Sequence, residues 1–475
     1  MIELKNVSYT YPHTVQPALH RISLSLEKGR CIMITGPSGA GKTSLCLAAS
    51  GILHHEYGGK MEGEVIVDNK NVSVYKTLSD LARNVGVVFD DAEAQMIFTT
   101  VEEEILSALE HRGLSAEEIE KRLAEIMKIT YLNELKDRSP HNLSGGQKQR
   151  VALAATLALG NDILLLDEPT SELDEHATVR IAGILAGLKA QGKTLLLIEH
   201  KYSQFREMVD TLVVMENGTV TAKGKPEDLL RDERIRGMVL PDFSTFRKAA
   251  PAPVTAEPVI TVNNLSHSYG TIEALHDVNL MIRKGEFVAI VGENGSGKTT
   301  LVKHFNRLLS PSGGDVIVNG RNVKECSIAD LARDVGLVFQ NPDHMFFADT
   351  VRDEIAYGVK NLAIQDAGAV IDAALKDAGL TESAGLYPRW LSRGERQRLA
   401  IACVVAMQPG IIVLDEPTTG LDGYEARDVI MMLRNLQEKG HTIIIITHNR
   451  DIARHCADRV ITMENGRIIS DTGGA

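Results

Sequence analysis

The chain repeats itself, and this limits its possible folds more than any other feature. IELKNVSYTY at 2–11 returns as ITVNNLSHSY at 260–269, and LARNVGVVF at 81–89 as LARDVGLVF at 331–339. LLLDEPT at 164–170 returns as IVLDEPT at 412–418, and MENG at 215–218 as MENG at 463–466. Matched segments lie about 250 residues apart, a period too long for a solenoid unit and the size of a whole domain. The 475 residues therefore divide into two homologous domains, 1–240 and 259–475. Between them PDFSTFRKAAPAPVTAEP at 241–258 is rich in Pro and Ala without an apolar period, the pattern of a semi-extended, solvated tether. At roughly 3.1 Å per residue it is long enough to let the two halves meet face to face.

Within each copy short β-branched runs alternate with helical patterns. FVAIVG at 287–292 and GIIVLDE at 410–416 read as buried parallel strands, whereas LAGLKAQ at 185–191 and VIMMLRNLQEKG at 429–440 read as amphipathic helices. The expected class is α/β, two homologous domains each built on a largely parallel sheet, with ligands at the strand carboxyl ends.

Two glycine-rich loops stand where that architecture wants a ligand. GPSGAGKT at 36–43 and GENGSGKT at 292–299 each follow an apolar run and open a helical stretch. The loops Gly36, Pro37, Ser38, Gly39, Ala40 and Gly41, and Gly292, Glu293, Asn294, Gly295, Ser296 and Gly297, are candidates to wrap phosphate oxygens with the backbone N–H groups that every one of these residues but Pro37 carries. Lys42 and Lys298 meet the β- and γ-phosphates, Thr43 and Thr299 offer hydroxyls to Mg²⁺, and Ser44 and Thr300 follow on the helix. A glycine-rich turn before a helix is the bland alternative for one such match; two in register argue against it. Downstream, each copy has an apolar strand ending in two acids, Asp167 with Glu168 and Asp415 with Glu416. The first acid of each pair suits Mg²⁺ and the second suits activation of an attacking water.

Composition removes other classes. Fifty-one basic against 63 acidic side chains give a net charge of −12, which disfavours sequence-independent nucleic-acid binding. The longest apolar runs, such as ILLL at 163–166 and TIIIIT at 442–447, fall far short of the ~20 residues of a membrane span. MIELKNVSYTY has neither a basic start nor an apolar core, so no export signal is expected. Five scattered cysteines, never spaced C-x-x-C, argue against a disulfide framework or zinc site and point to a reducing compartment.

Between each loop and acidic strand lies a further motif. LSGGQKQR at 143–150 resembles the ATP-binding-cassette (ABC) signature, and LSRGERQR at 391–398 resembles a departed version of it. The resemblance extends over nearly the whole chain, because loop, signature, acidic strand, SELD at 171–174 or TGLD at 419–422, and His200 or His448 occur in that order twice. It implies two P-loop ATPase domains, each with a β subdomain and a helical signature subdomain, using ATP and Mg²⁺. It further implies that the halves pair head to tail within one chain, each ATP lying between the P-loop of one half and the signature of the other. By the same resemblance Tyr11 and Tyr269 stack on adenine, His200 and His448 contact the γ-phosphate, and Ser144, Gly145, Gly146, Ser392 and Gly394 donate from the signature. Glu168 and Glu416 match the catalytic glutamates, and Gln340 the glutamine that senses Mg²⁺ and contacts the membrane partner.

Two positions depart from the pattern. Asp90 stands where the second copy has Gln340, and Arg393 replaces the first glycine of the second signature. Both fall on the composite site of Lys42, Glu168, His200 and the second signature, leaving the site of Lys298, Gln340, Glu416, His448 and LSGGQ intact. Asymmetric hydrolysis is therefore expected, unless Asp90 and Arg393 compensate each other.

FQNPDHMFFADTVRDEIAYG at 339–358, HHEYGGKMEGEV at 54–65 and KPEDLLRDERIRGMVLPDF after the first cassette resemble the energy-coupling-factor (ECF) group. That group imports vitamins and transition metal ions. This resemblance implies a peripheral ATPase on the cytoplasmic face of the membrane. Its partners are an integral membrane coupling protein and a small substrate-binding membrane subunit. Acids after the glutamine position (Glu93, Glu102, Glu103, Glu104, Asp343, Asp349, Asp353, Glu354) are candidates to receive basic coupling helices, or else form a solvated face. The alternatives are a tandem ATPase of a conventional sugar or peptide importer and a translation-associated ABC ATPase. The Pro/Ala tether is short and uncharged for most of its length, unlike the long charged helical linker usual in the latter. The asymmetry gives a direct expectation: Glu416→Gln abolishes most ATP turnover and Glu168→Gln little of it, measured as phosphate release, and equal losses contradict it.

Overall fold

The computed structural model describes residues 1–171, 173–246 and 257–473, in two compact units, Met1–Pro241 and Asp242–Ala475. In the first, a six-stranded sheet runs in the order Thr219–Gly224, Thr211–Glu216, Cys31–Thr35, Thr194–Ile198, Ile163–Asp167, Val85–Val88. All neighbours are parallel except the outermost hairpin. The second repeats this with Val335–Val338, Ile411–Asp415, Thr442–Ile446, Phe287–Val291, Arg459–Glu464 and Arg467–Asp471. Each unit adds a small antiparallel sheet, led by Ile2–Thr10 and Leu19–Leu26 or by Pro258–Tyr269 and Ile272–Arg283. The α/β expectation and both expected buried strands are therefore found.

CIMIT, ILLLD and TLLLI are buried at every residue because both faces of the sheet are covered. Alternation then divides each strand between two cores. Met33, Leu164, Leu166, Leu195 and Leu197 pack toward a helical lobe containing Val101–Glu110, Ala116–Ile129 and Gly145–Ala158. Ile32, Ile34, Leu165, Leu196 and Ile198 pack toward the antiparallel sheet and the helix Lys42–Ala49. The two expected amphipathic helices occupy Glu175–Ala190 and Gly423–Glu438, started by Asp174 and Asp422 as side-chain caps.

The expected tether begins later than its composition indicates. Phe243 is only 2% exposed in the core of the second unit, and the Arg427 guanidinium lies 5.2 Å from the Phe246 ring centroid. Two aromatics in a Pro/Ala-rich stretch sufficed to anchor it. The remainder of the tether, 247–256, lies outside the described residues, as does Glu172 of the SELD segment.

The second unit buries a histidine pair that the first lacks. His304 Nδ1–H donates to Thr300 O at 2.8 Å and His267 Nδ1–H to Ser310 O at 3.1 Å, so His304 Nε2 faces His267 Nδ1 at 3.2 Å as an acceptor. Burial, with His267 beside it, pushes His304 down to about 4 against the opposing bond to Thr300. Its neutral form is the folded form, so this stability is complete above the unfolded pKa of ~6.5 and is lost as pH falls toward the folded one. His304→Ala, copying Ala48 of the first unit, lowers the melting temperature at pH 7.5 but flattens its decline between pH 7 and 4.5.

Candidate active site

In both units the first strand of the parallel sheet runs into a loop whose first glycine has no room for a side chain. Gly36 has φ 151° and Gly292 φ 155°, and a Cβ would lie 2.1 Å from Met215 O or 2.3 Å from Met463 O. The loop therefore lies flat against the backbone of the neighbouring strand's end. Lys42 Nζ curls back to donate to Gly36 O at 2.8 Å and Pro37 O at 2.9 Å, and Lys298 Nζ likewise to Gly292 O and Glu293 O, both at 2.8 Å. Helices Lys42–Ala49 and Lys298–Lys303 start without a side-chain cap, so their first N–H groups and a buried ammonium face the loop together. That is an anion cradle, and the residues present fit a nucleotide phosphate.

The acidic strand ends beside it. Thr299 Oγ1 donates to Asp415 Oδ2 at 2.7 Å, and Thr43 bonds Asp167 in the same way. Burial, with Glu168 next, pushes Asp167 up to about 7; Thr43 opposes this and the Asp90 charge adds to it. Asp415 is raised too, chiefly by burial, and lacks an acid in the Asp90 position. Asp167 Oδ1 is buried without a hydrogen-bond partner among the described residues. Hydroxyl and carboxylate oxygens with an open lone pair are the donor set of a hard divalent cation, so Thr43 with Asp167 and Thr299 with Asp415 fit Mg²⁺.

Glu168 and Glu416 follow in left-handed conformation, φ 46° and 49°. Their N–H groups reach back to Ile198 O and Ile446 O, each at 3.0 Å, which pins the kink to the next strand. His448 Nδ1 lies 2.9 Å from Glu416 Oε2, and its backbone N–H donates to that oxygen at 3.4 Å. His200 Nε2 lies 3.4 Å from Glu168 Oε1. Gln340 and Asp90 occupy the bend after strands Val335–Val338 and Val85–Val88. Asp90 Oδ1 also accepts from Asp91 N–H at 2.9 Å.

Tyr11 OH is 3.1 Å from Ser44 Oγ, and its ring meets Tyr9 edge-on at 4.9 Å. Tyr269 OH is 3.5 Å from Thr300 Oγ1, with its ring half-exposed. Ser144 and Ser392 start the signature helices, Ser392 in a reciprocal cap with Glu395. Phosphate approach is the only reason the sequence offers for Gly146 and Gly394, and the fold supplies another. A Cβ would lie 2.7 Å from Ala177 Cβ or 2.4 Å from Glu425 Oε1, on the helix packed against each signature helix. Gly145 has Leu173 as its neighbour, at 3.8 Å. Arg393 folds its guanidinium over Gly420, in the space a side chain there would fill.

Several acids expected to receive a partner are engaged internally. Glu104 and Glu354 are buried, accepting from Ile97 and Phe98 N–H or from Phe347 and Ala348 N–H. The carboxylates of Glu103 and Asp353 accept from the helix-capping residues, Thr100 N–H and the Thr350 hydroxyl, Glu93 pairs with Lys148, and Asp343 with Arg396. The loops they brace instead expose Ile97, at 80%, and Phe347, at 64%.

The family model for ABC transporters matches residues 19–171 and 275–419. The chain belongs to the ABC transporter family. It is 48% identical to an ABC transporter ATP-binding protein of Methanosarcina mazei, over 99% of this chain and 95% of that protein. Another, of Caldanaerobacter subterraneus, is 37% identical over 98% and 90% of the two chains. An archaeal ribosome recycling factor, solved with the stalk protein aP1, covers 98% of this chain at a TM-score of 0.66 and 22% identity, a likeness of fold. Each ABC cassette is thus an ATP-binding domain whose family activity is ATP hydrolysis.

Sequence reasoning passed over Glu199, which is buried just after the strand Thr194–Ile198 of the first ABC cassette and accepts from Thr170 N–H. The signal was available, because IEHK at 198–201 aligns with ITHN at 446–449. The loop geometry makes a paired expectation. Gly36→Ala collides with Met215 O and abolishes ATP binding to the first cassette, with a loss of at least ~2 kcal/mol in stability. Gly39→Ala, at φ 77° with nothing within 4 Å, costs only about 1–2 kcal/mol, read by urea unfolding and nucleotide titration.

Proposed function

We propose that this chain is the ATP-hydrolysing subunit of an ECF-type importer of a vitamin, a vitamin precursor or a transition metal ion. It would be held at the cytoplasmic face of the membrane by an integral coupling protein and a small substrate-binding subunit. The observation that carries the ATPase reading is the second cassette, where Lys298, the Thr299–Asp415 pair and the Glu416–His448 pair converge at the carboxyl ends of adjacent strands. Lys298 and the uncapped helix start bind and orient the phosphates. Glu416 accepts the proton of the attacking water, and His448 holds the Glu416 carboxylate in place. Mg²⁺, when bound, neutralises charge developing on the phosphates.

Head-to-tail pairing of the halves would add Ser144 and Gly146 to that site, and Ser392 and Gly394 to the site of Lys42. Unequal sites are supported by Asp90, which adds charge beside Asp167, and by Arg393 lying over Gly420 rather than leaving backbone bare. The membrane reading is supported by the ECF-like segments and by exposed Ile97 and Phe347 on matching braced loops, apolar surface suited to a partner's helix. No helix among the described residues is long and apolar enough to cross a membrane. Isolation of the tagged chain from membranes in mild detergent is expected to recover one larger and one small integral membrane protein. Recovery with ribosomes, or with a permease pair and a binding protein, contradicts the ECF reading.

A further inference from the structure

We propose that Glu199 is a positioning residue that ties the first cassette's histidine segment to the segment following its acidic strand, a restraint the second cassette lacks. Glu199 is 2% exposed, and its carboxylate gathers four donors. Oε1 accepts from Thr170 N–H at 3.1 Å and from the Thr170 hydroxyl, and Oε2 accepts from His200 N–H at 3.0 Å and Lys201 N–H at 3.3 Å. Lys201 Nζ closes the clasp from the other side, donating to Thr170 O at 2.8 Å and Leu173 O at 3.3 Å. Charge-assisted bonds to a buried carboxylate are strong, and each one broken leaves charge without a partner in a dry setting. Thr170 and Leu173 therefore move together with residues 199–201.

The second cassette is wired differently at the same positions. Thr447 replaces Glu199 and accepts from Asn449 N–H at 3.0 Å, while Asn449, in place of Lys201, caps the next helix through Asp451 and Ile452 N–H. The N–H of His448 is left to donate to Glu416 itself, so ring and backbone of the histidine both follow the glutamate. In the first cassette that N–H is given to Glu199, and the ring of His200 stands off from Glu168 at 3.4 Å. Glu199 thus couples His200 to Thr170 instead of to Glu168, and slows the histidine's adjustment during turnover at that site.

This rests on the ATPase reading, so its first test needs no turnover. Hydrogen exchange of the full-length chain without nucleotide would compare wild type, Glu199→Gln, and Glu199→Thr with Lys201→Asn, which installs the second cassette's residues. Amides of Thr170 and His200 are expected to exchange at least ~10-fold faster in the double variant and to an intermediate degree in Glu199→Gln, with Thr418 and His448 unchanged. If the double variant does not fold, Lys201→Asn alone removes only the outer half of the clasp and is expected to accelerate Thr170 and Leu173. Unchanged exchange in the variants overturns the proposal whether or not the chain is an ATPase. In a Glu416→Gln background, the double variant is then expected to raise residual kcat about 3- to 10-fold with little change in KM. Unchanged or lowered kcat there overturns the restraint on catalysis. Altered exchange in a chain that hydrolyses no ATP with either cassette leaves the clasp standing and defeats the ATPase reading instead.

Discussion

A parallel strand buried on both faces leaves only its ends for polar chemistry, and both cassettes are organised around that constraint. Cys31–Thr35, Ile163–Asp167 and Thr194–Ile198 have no exposed residue, so the charged groups they carry gather where the strands stop. Lys42 belongs to the helix after the first of these strands. Asp167 and Glu168 stand at the end of the second, and Glu199 and His200 follow the third. The two cores above and below the sheet hold these strand ends in register, and the loop of Gly36 can lie against Met215 only because that register is kept.

Close packing also explains why the two cassettes, alike in fold, are unlike in chemistry. Buried carboxylates are expensive unless they are matched, and the units match them in different ways. Asp415 shares its burial with Thr299 and one neighbouring acid. Asp167 shares its own with Thr43, Glu168 and the charge of Asp90. Glu199 is supplied with four donors that Thr447 does not need, and the price is that the His200 N–H is no longer available to Glu168. Arg393 is accommodated because Gly420 opposite it has no side chain.

The exposed surface follows similar reasoning. Glu104 and Glu354 look like surface charge in the sequence, yet each is drawn inward by two backbone N–H groups of the preceding loop. Their role is to hold that loop open, which turns Ile97 or Phe347 outward. A charge count along the chain cannot separate a carboxylate that meets solvent from one that satisfies a turn, because both occur in polar segments.

Much of the fold and of the candidate site was legible in order and spacing. The twofold repeat, the glycine loops with Lys42 and Lys298 and the acidic strand ends depend on local backbone demands, whereas His200 and His448 were reached through the family resemblance. Apolar strands and phosphate-cradling turns need particular residue types at particular intervals. What sequence alone could not decide was pairing across the sheet. The assembly of Glu199 with Thr170, the packing of Gly394 against Glu425, the neutral His267–His304 contact and the anchoring of Phe243 all join residues distant in the chain or shielded by burial. The local pattern specifies which groups are present; which of them meet, and with what charge, is set by the dry interior that only the tertiary structure creates.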